Sequence, residues 1–257
     1  ILIILGVTLS SRPGFTLTFQ NVLAQIGFTY FITFLLMRTK PSIQLIVSVL
    51  LILITDILYR AFPLEGPDPF AMGKTFGDYM NSIIAPGATG HWASFNAVPT
   101  SAHTIWGALC GQILISDKTN SKKLKYMLIG GIIALVIGYL LSTFTPFNKK
   151  ICTSSFVFAS GGWSILAFAL SYWIIDIKGY KDWAFFAVVV GMNPIFIYLM
   201  ASTFRGFVMR FATPWINLFF QSWASPHLIQ MLLLLLAWFA NWYICLYLYK
   251  KRIFFRL

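Results

Sequence analysis

The stretch TPFNKKICTSSFVFASGGW, residues 145–163, decides the fold because it places a polar cluster at the edge of an apolar span. Asn148, Lys149 and Lys150 stand at that edge. The hydroxyl and glycine residues that continue into the span are Thr153, Ser154, Ser155, Ser160, Gly161, Gly162 and Ser164. A lipid-facing surface does not need these groups, whereas close helix packing or a polar cavity does. The pattern predicts a helix inside a membrane bundle, and it leaves open whether the small residues line a cavity or only admit neighbouring helices.

Composition indicates the same class of protein for the whole chain. Hydrophobic residues make up 58% of the 257 residues and charged residues 10%, and the mean hydropathy is +0.78. Several apolar runs reach the length of about 20 residues that crosses a bilayer as a helix. We therefore expect an all-α, polytopic transmembrane helix bundle that forms a single domain over residues 1–257.

Apolar runs separated by turns and charges predict seven full spans and one partial span. The partial span is Ile1–Leu9, and the full spans are Phe19–Met37, Ile43–Tyr59, Val98–Ile115, Tyr126–Phe144, Cys152–Ile175, Trp183–Thr203 and Leu228–Tyr249. Of the 19 basic residues, twelve fall in the loops of one side and seven in those of the other. The positive-inside rule makes the richer side cytoplasmic. The C-terminus is then cytoplasmic, and residues 60–97, 145–151 and 204–227 are outside.

The formal net charge of +12 lies mostly in short loops beside the spans. It therefore indicates orientation in the membrane and contact with lipids, and we identify no nucleic-acid-binding module. Cys110, Cys152 and Cys245 are scattered without the spacing of metal ligands. We expect neither a metal site nor a disulfide framework.

A histidine lies in the predicted span that contains VPTSAHTIWGALCGQIL, residues 98–114. Gly107 and Gly111 form a face of small residues that allows close helix packing. His103 is four residues from Gly107, so its ring is expected on the packed side of the helix. It is either a catalytic base or a hydrogen-bonded structural histidine. Gln112, deeper on the same helix, is a candidate either for binding a ligand amide or for tying two helices together.

Two further features lie at membrane depth. Asp56 and Arg60 are four residues apart, which predicts a structural ion pair on one helix face. In GMNPIFIY, residues 191–198, Pro194 cannot continue a helix and predicts a kink. A polar break of this kind is tolerated where it faces protein or a water-filled cavity, so Asn193 is a candidate site residue.

The tail YKKRIFFRL, residues 249–257, places Lys250, Lys251 and Arg252 just beyond the last span. These cations mark the cytoplasmic side of the membrane. They are also candidates for binding lipid headgroups or the phosphates of a nucleotide-bearing cofactor.

Several blocks of the sequence, taken together, resemble one family. They are NVLAQIGFTYF (21–31), GALCGQIL (107–114), TPFNKKICTSSFV (145–157), WIIDIKGYKDW (173–183), GMNPIFIY (191–198) and YKKRIFFRL (249–257). In this order and spacing they are similar to the heparan-alpha-glucosaminide N-acetyltransferase-like membrane acyltransferases, a family with bacterial members. The resemblance runs over nearly the whole chain, although no single block is decisive.

The resemblance implies an enzyme of the bacterial inner membrane that moves acetyl from cytoplasmic acetyl-CoA to an amino sugar or glycan on the outer side. Its catalytic candidates here are His103 and Asn193. The residues expected to bind the acceptor are Asn148, Lys149, Ser154 and Ser155. The residues expected to bind acetyl-CoA are Gln25, Gln112, Lys250, Lys251 and Arg252. Membrane lipids are expected partners, and a homodimer is a candidate assembly.

The chain departs from the family pattern at three places. The proposed catalytic histidine of the family lies upstream of everything in this sequence, so we expect the chain from Ile1 onward to be inactive alone. Ala24 and Gln25 stand where many members have Gln-Arg, and Cys152 stands where a Trp is usual. The runner-up hypothesis is a transporter or flippase for a sugar or lipid-linked sugar, which would need paired broken helices or carboxylates at the midplane. The third hypothesis is a nonenzymatic scaffold subunit.

Overall fold

The computed structural model describes residues 1–10, 20–62, 67–84 and 92–255. These residues are mostly helical and include no strand, which confirms the all-α prediction. The chain divides into two compact units, Ile1–Ile177 and Lys178–Leu257. The single domain expected from the sequence therefore stays a prediction. Phe19, the first residue of one predicted span, lies outside the described residues.

The first unit is a bundle of helices whose starts carry recognisable signals. The helices are α1 (Leu2–Ser10), α2 (Val22–Leu36), α3 (Pro41–Ala61), α4 (Phe76–Ile84), α5 (Ala97–Ile115), α6 (Asn120–Leu141) and α7 (Ser154–Tyr172). Asn21 caps α2, since its side chain accepts a hydrogen bond from the Leu23 amide at 2.8 Å. Pro41 stands in the first turn of α3, where its missing N–H costs nothing. A π-helical turn, Trp173–Ile177, extends α7.

Four described helical segments are long and apolar enough to cross a membrane. They are Pro41–Ala61, Asn120–Leu141, Ser154–Ile177 and Pro226–Lys250. Each coincides with a predicted span. The bent pair Asp182–Gly191 and Pro194–Ala201 makes a fifth if it is counted as one span. By length and composition, the described helices do not provide the seven predicted spans. Helix α2 has only 15 residues, and α5 carries several polar side chains.

Helix α5 lies at the centre of the first unit, in contact with α2, α3, α6 and α7. Ala102 and Ile105 on this helix are completely buried. Trp106 donates its Nε1–H to Ser48 Oγ on α3 at 2.8 Å. The polar side chains of α5 are therefore surrounded at least in part by other helices of the bundle.

Glycines bring α6 and α7 into close contact. A Cβ built on Gly138 of α6 would lie 2.5 Å from the backbone nitrogen of Ala159. A Cβ on Gly162 of α7 would lie 2.8 Å from both the Gly131 oxygen and the Leu135 nitrogen. Because these neighbours are backbone atoms, a side chain has no room at either position. Gly162 in the 145–163 stretch thus serves helix packing.

The second unit contains a broken helix followed by a helical hairpin. Its helices are α8 (Phe185–Gly191), α9 (Pro194–Phe220) and α10 (Pro226–Lys250). The segments before and after the break are bent by 68°, which confirms the kink predicted at Pro194. Pro194 begins the new helix, because its ring cannot continue α8 but its fixed φ suits a first turn.

The predicted span Trp183–Thr203, with its kink at Pro194, corresponds to the bent pair Asp182–Gly191 and Pro194–Ala201, which is one span only if the two segments are counted together. Helix α9 continues into residues 204–220, which the sequence pattern predicts to be part of an outer segment. Its 27 residues correspond to about 40 Å at about 1.5 Å per residue. That length exceeds a hydrocarbon core of about 30 Å.

Candidate functional site

A cavity of about 170 Å³ lies between α5 and α7. Its walls are His103, Trp106, Gly107 and Cys110 from α5 and Gly161, Ser164, Ile165 and Phe168 from α7. The wall residues recur at intervals of three or four, so each set forms one face of its helix. The structure therefore places the candidate base His103 at the wall of a cavity.

Hydrogen bonds hold the imidazole of His103 against α7. Its Nε2 lies 2.9 Å from the carbonyl oxygen of Val157 and 3.2 Å from Ser160 Oγ. The Ser160 hydroxyl donates its own proton to the carbonyl of Phe156 at 2.6 Å, so its oxygen is left to accept. Because both neighbours of Nε2 accept, we infer that Nε2 carries the proton of the neutral ring.

The second ring nitrogen, Nδ1, has no hydrogen-bond partner among the residues that the structure describes. His103 is half-buried and lines the cavity, so its ring is not sealed within the protein. Trp106 packs edge-on against the ring, with centroids 6.0 Å apart. With the proton on Nε2, Nδ1 carries the free lone pair and can accept a proton.

The close packing predicted at Gly107 and Gly111 is wrong. A Cβ built on either glycine would meet no atom of the described residues within 4 Å, so none of them packs closely against these two glycines. Gly161 on the opposite wall differs, because a Cβ there would collide with the Trp106 ring. Gly107 also borders a second cavity, of about 470 Å³, that extends to α2. We call these two cavities on either side of Gly107 the α5 groove.

Gln25, an expected acetyl-CoA contact, lies beside the first turns of α5. Its Nε2 donates to Thr100 Oγ1 at 2.8 Å. Thr100 in turn donates to the Asn96 carbonyl at 2.6 Å, and its oxygen is 3.0 Å from Cys152 Sγ. Gln25 thus joins α2 to α5, and Thr100 extends the contact to Cys152 in the loop before α7. Thr100 lies about one helical turn before His103.

Gln112, the second expected acetyl-CoA contact, lies toward the other end of α5. Its Nε2 donates to Gln44 Oε1 at 3.1 Å. The Gln44 amide donates to the carbonyls of Leu36 and Thr39, each at 3.1 Å. Gln112 therefore ties α5 to the turn between α2 and α3. It is about 18 Å along the helix from Thr100, the partner of Gln25, so the two glutamines do not form one cluster.

Two of the expected acceptor-binding residues are buried and engaged within the protein. Ser154 and Ser155 are 6% and 0% exposed. The Ser154 hydroxyl donates to Asp56 Oδ1 at 2.8 Å, and the Ser155 hydroxyl donates to the Pro146 carbonyl at 3.2 Å. These bonds fasten the start of α7 to α3 and to the preceding loop.

The other two acceptor candidates lie at the surface of the same loop. Asn148 is half-buried, and its Oδ1 accepts from the Lys150 amide at 2.9 Å. Lys149 is exposed, and its Nζ lies 5.8 Å from the centre of the Trp92 ring. An aromatic face beside amide and ammonium groups offers both apolar and hydrogen-bonding surface to a ligand.

Asn193 is completely buried in the second unit. Its Nδ2 donates to the Ile253 carbonyl at 3.1 Å, and its Oδ1 accepts from the Phe255 amide at 2.9 Å. The amide therefore fastens the C-terminal tail to the break before α9. These bonds account for Asn193 structurally, and we assign it no step in catalysis. Lys250, Lys251 and Arg252 are exposed at the end of α10, as phosphate or headgroup contacts need to be.

Three residues near these groups were not identified as site residues from the sequence. Trp106 and Cys110 follow His103 at helical spacing, and that spacing was a usable signal. Trp92 carries no such signal, because it reaches Lys149 through a backbone contact between distant segments. That contact is a hydrogen bond from the Ala93 amide to the Lys150 carbonyl at 3.1 Å.

No known protein-family model matches the chain, and no curated protein is significantly similar to it.

Proposed function

We propose that this protein is an enzyme, a transmembrane acetyltransferase that moves acetyl from acetyl-CoA to an amino sugar or glycan. The observation that carries the proposal is the state of His103. The Val157 carbonyl accepts from its Nε2–H, Nδ1 has no partner among the described residues, and the residue lines the α5 groove. A neutral imidazole with an available lone pair is the group that general-base catalysis needs.

In the proposed reaction, the amine or hydroxyl of the acceptor attacks the thioester carbonyl of acetyl-CoA. His103 Nδ1 takes the proton that the attacking atom loses. The carbon–sulfur bond then breaks, and the departing thiolate of coenzyme A recovers the proton from the imidazolium. The cavity of about 170 Å³ is smaller than the usual small-molecule site of about 300–1,000 Å³. It therefore suits the acetyl thioester and the reacting group, and not a whole donor molecule.

The remaining parts of the donor and acceptor need other contacts. The wider cavity beside Gly107, of about 470 Å³, has room for the arm of coenzyme A. Farther along α5, Gln112 offers an amide that complements the amides of that arm. Asn148 and Lys149, beside Trp92, remain the proposed contacts for the acceptor.

The proposed topology keeps seven full spans. Helices α2 and α5 cross the membrane together with α3, α6, α7 and α10, and α9 takes the place of the predicted Trp183–Thr203 span. The protein lies in a bacterial inner membrane with its C-terminus in the cytoplasm. The excess of basic residues in alternate loops supports this orientation.

Acetyl transfer by the full-length protein in sealed vesicles tests the proposal. Labelled acetyl-CoA is supplied at the cytoplasmic face and glucosamine at the other, and labelled sugar is measured. His103→Gln retains an amide donor for the Val157 carbonyl but has no base. We expect it to lower kcat by about 100-fold or more, with little change in KM. His227→Gln is the matched control, because His227 is exposed at the start of α10, and it should leave kcat unchanged.

Two results would overturn the proposal. One is the absence of labelled sugar with folded wild-type protein, and the other is an unchanged kcat in His103→Gln. The break between α8 and α9 is the one observation that favours the transporter hypothesis, since transporter sites use discontinuous helices. Movement of unmodified glucosamine across the vesicle membrane, without acetyl transfer, would be the result that supports it.

A further inference from the structure

The hairpin of α9 and α10 brings an arginine and an asparagine to one level. Arg205 lies 15 residues before Phe220, the last residue of α9, and Asn241 lies 15 residues after Pro226, the first residue of α10. Both are therefore about 22 Å from the turn that joins the helices. They line the same cavity, of about 540 Å³.

This level is near the middle of the candidate span Pro226–Lys250. Asn241 is nine residues, or about 14 Å, from Lys250 at the basic end of the helix, and a hydrocarbon core is about 30 Å thick. A guanidinium at that depth is costly unless an anion or a polar cavity accompanies it. We therefore expect an anionic group to bind Arg205.

The second unit supplies little negative charge. Helices α9 and α10 contain no acidic residue, and the unit has one acid, Asp182, against eight lysines and arginines. Among the residues that the structure describes, Arg205 forms no ion pair. The Asn241 amide donates to the Ala237 carbonyl at 2.8 Å, so one of its donors is already used within α10. The positive charge of this cavity is thus uncompensated.

The other walls indicate what kind of anion fits. Met231, Leu234 and Leu235 of α10 and Ala201 of α9 are apolar, and Trp238 adds an aromatic surface. An inorganic anion would leave this surface uncovered, whereas a hydrocarbon chain would cover it. A guanidinium binds phosphate or carboxylate through two parallel hydrogen bonds. We propose that the cavity between α9 and α10 binds an anionic lipid, with its charged group at Arg205 and its chain against Leu234 and Leu235.

Thermal unfolding of the full-length protein in nanodiscs tests this site. Phosphatidylglycerol is added in steps to phosphatidylcholine nanodiscs, and inorganic phosphate is titrated separately into phosphatidylcholine nanodiscs. A ligand that binds the folded state raises Tm with its concentration. We expect phosphatidylglycerol to raise Tm of the wild type, and Arg205→Gln to need at least tenfold more of it for the same rise.

Arg210→Gln is the matched control, because Arg205 and Arg210 are both exposed on α9 and only Arg205 lines the cavity. It should respond as the wild type does. Leu235→Trp fills the cavity without removing the charge, and it should also abolish the rise, which keeps the test decisive if Arg205→Gln fails to fold.

Every outcome bears on the proposal. If inorganic phosphate raises Tm as the lipid does, and both rises depend on Arg205, the cavity is an anion site. Its ligand can then also come from solution. An equal rise in Arg205→Gln and the wild type overturns the site. The absence of any rise in the wild type with either anion also overturns it.

Discussion

Asp56, Arg60 and Ser154 form a chain of charge-assisted hydrogen bonds at one end of the first unit. Arg60 Nε donates to Asp56 Oδ2 at 2.7 Å, which confirms the ion pair predicted from the four-residue spacing. Ser154 donates to the other carboxylate oxygen at 2.8 Å. A second guanidinium nitrogen of Arg60 donates to Thr145 Oγ1 at 2.6 Å. Residues from α3, the loop after α6 and α7 are thereby joined.

The Ser154→Ala substitution tests whether this hydroxyl is structural. It removes one donor from the Asp56 carboxylate and should lower the free energy of unfolding by about 1–2 kcal/mol. Ser171→Ala on the same helix is the control, because Ser171 is exposed, and it should change the free energy by less than about 0.5 kcal/mol. Unfolding in detergent, followed by circular dichroism, measures both. Equal stability of the two variants would contradict a structural role for the Ser154 hydroxyl. Ser154 would then again be a candidate for binding the sugar acceptor.

Among single residues, the sequence predicted contacts within one helix better than contacts between helices. The Asp56–Arg60 pair follows from helical spacing alone. The partner of His103 does not, because Val157 lies 54 residues away and contributes a backbone carbonyl, which any residue would supply. For the same reason the burial of Asn193 under the C-terminal tail had no signature in its neighbours along the chain.

At the scale of helices, the same pattern of small residues has two different outcomes. Gly138 and Gly162 lie where α6 and α7 touch backbone to backbone. Gly107 and Gly111 have the spacing of a packing face, yet no atom of the described residues lies within 4 Å of a Cβ built on either one. Spacing identifies a face on which helices can approach, whereas the presence of a neighbour depends on the rest of the bundle. The apolar spans were more predictable, because length and hydropathy are properties of one helix.

Alanine substitutions on α6 separate these two situations. Gly138→Ala places a methyl group 2.5 Å from the Ala159 nitrogen, and it should lower the free energy of unfolding by about 1–3 kcal/mol. Gly130→Ala is the matched control on the same helix, because a Cβ there meets no atom within 4 Å. It should be neutral, or stabilising by up to about 1 kcal/mol through helix propensity. A smaller loss for Gly138→Ala than for Gly130→Ala would contradict the observed contact between α6 and α7.

At the scale of the whole molecule, the orientation of the first unit depends on α7 crossing the membrane between two basic segments. Lys149 and Lys150 are exposed before the candidate span Ser154–Ile177, and Lys178 and Lys181 are exposed after it. Trypsin added outside sealed right-side-out vesicles should cut at Lys149 or Lys150 and spare Lys178 and Lys181. Inside-out vesicles should show the reverse, because the segment with Lys178 faces the cytoplasm in the proposed topology.

Mass spectrometry of the fragments identifies each cut, and digestion in detergent is the control that both segments are accessible once the membrane is removed. Cleavage of both segments from the same side would show that α7 does not cross. The donor would then reach the α5 groove from the side that holds Asn148 and Lys149, and the proposed transfer across the membrane would fail. Cuts from opposite sides with the reversed polarity would keep the span and move the C-terminus, with Lys250–Arg252, to the outer face.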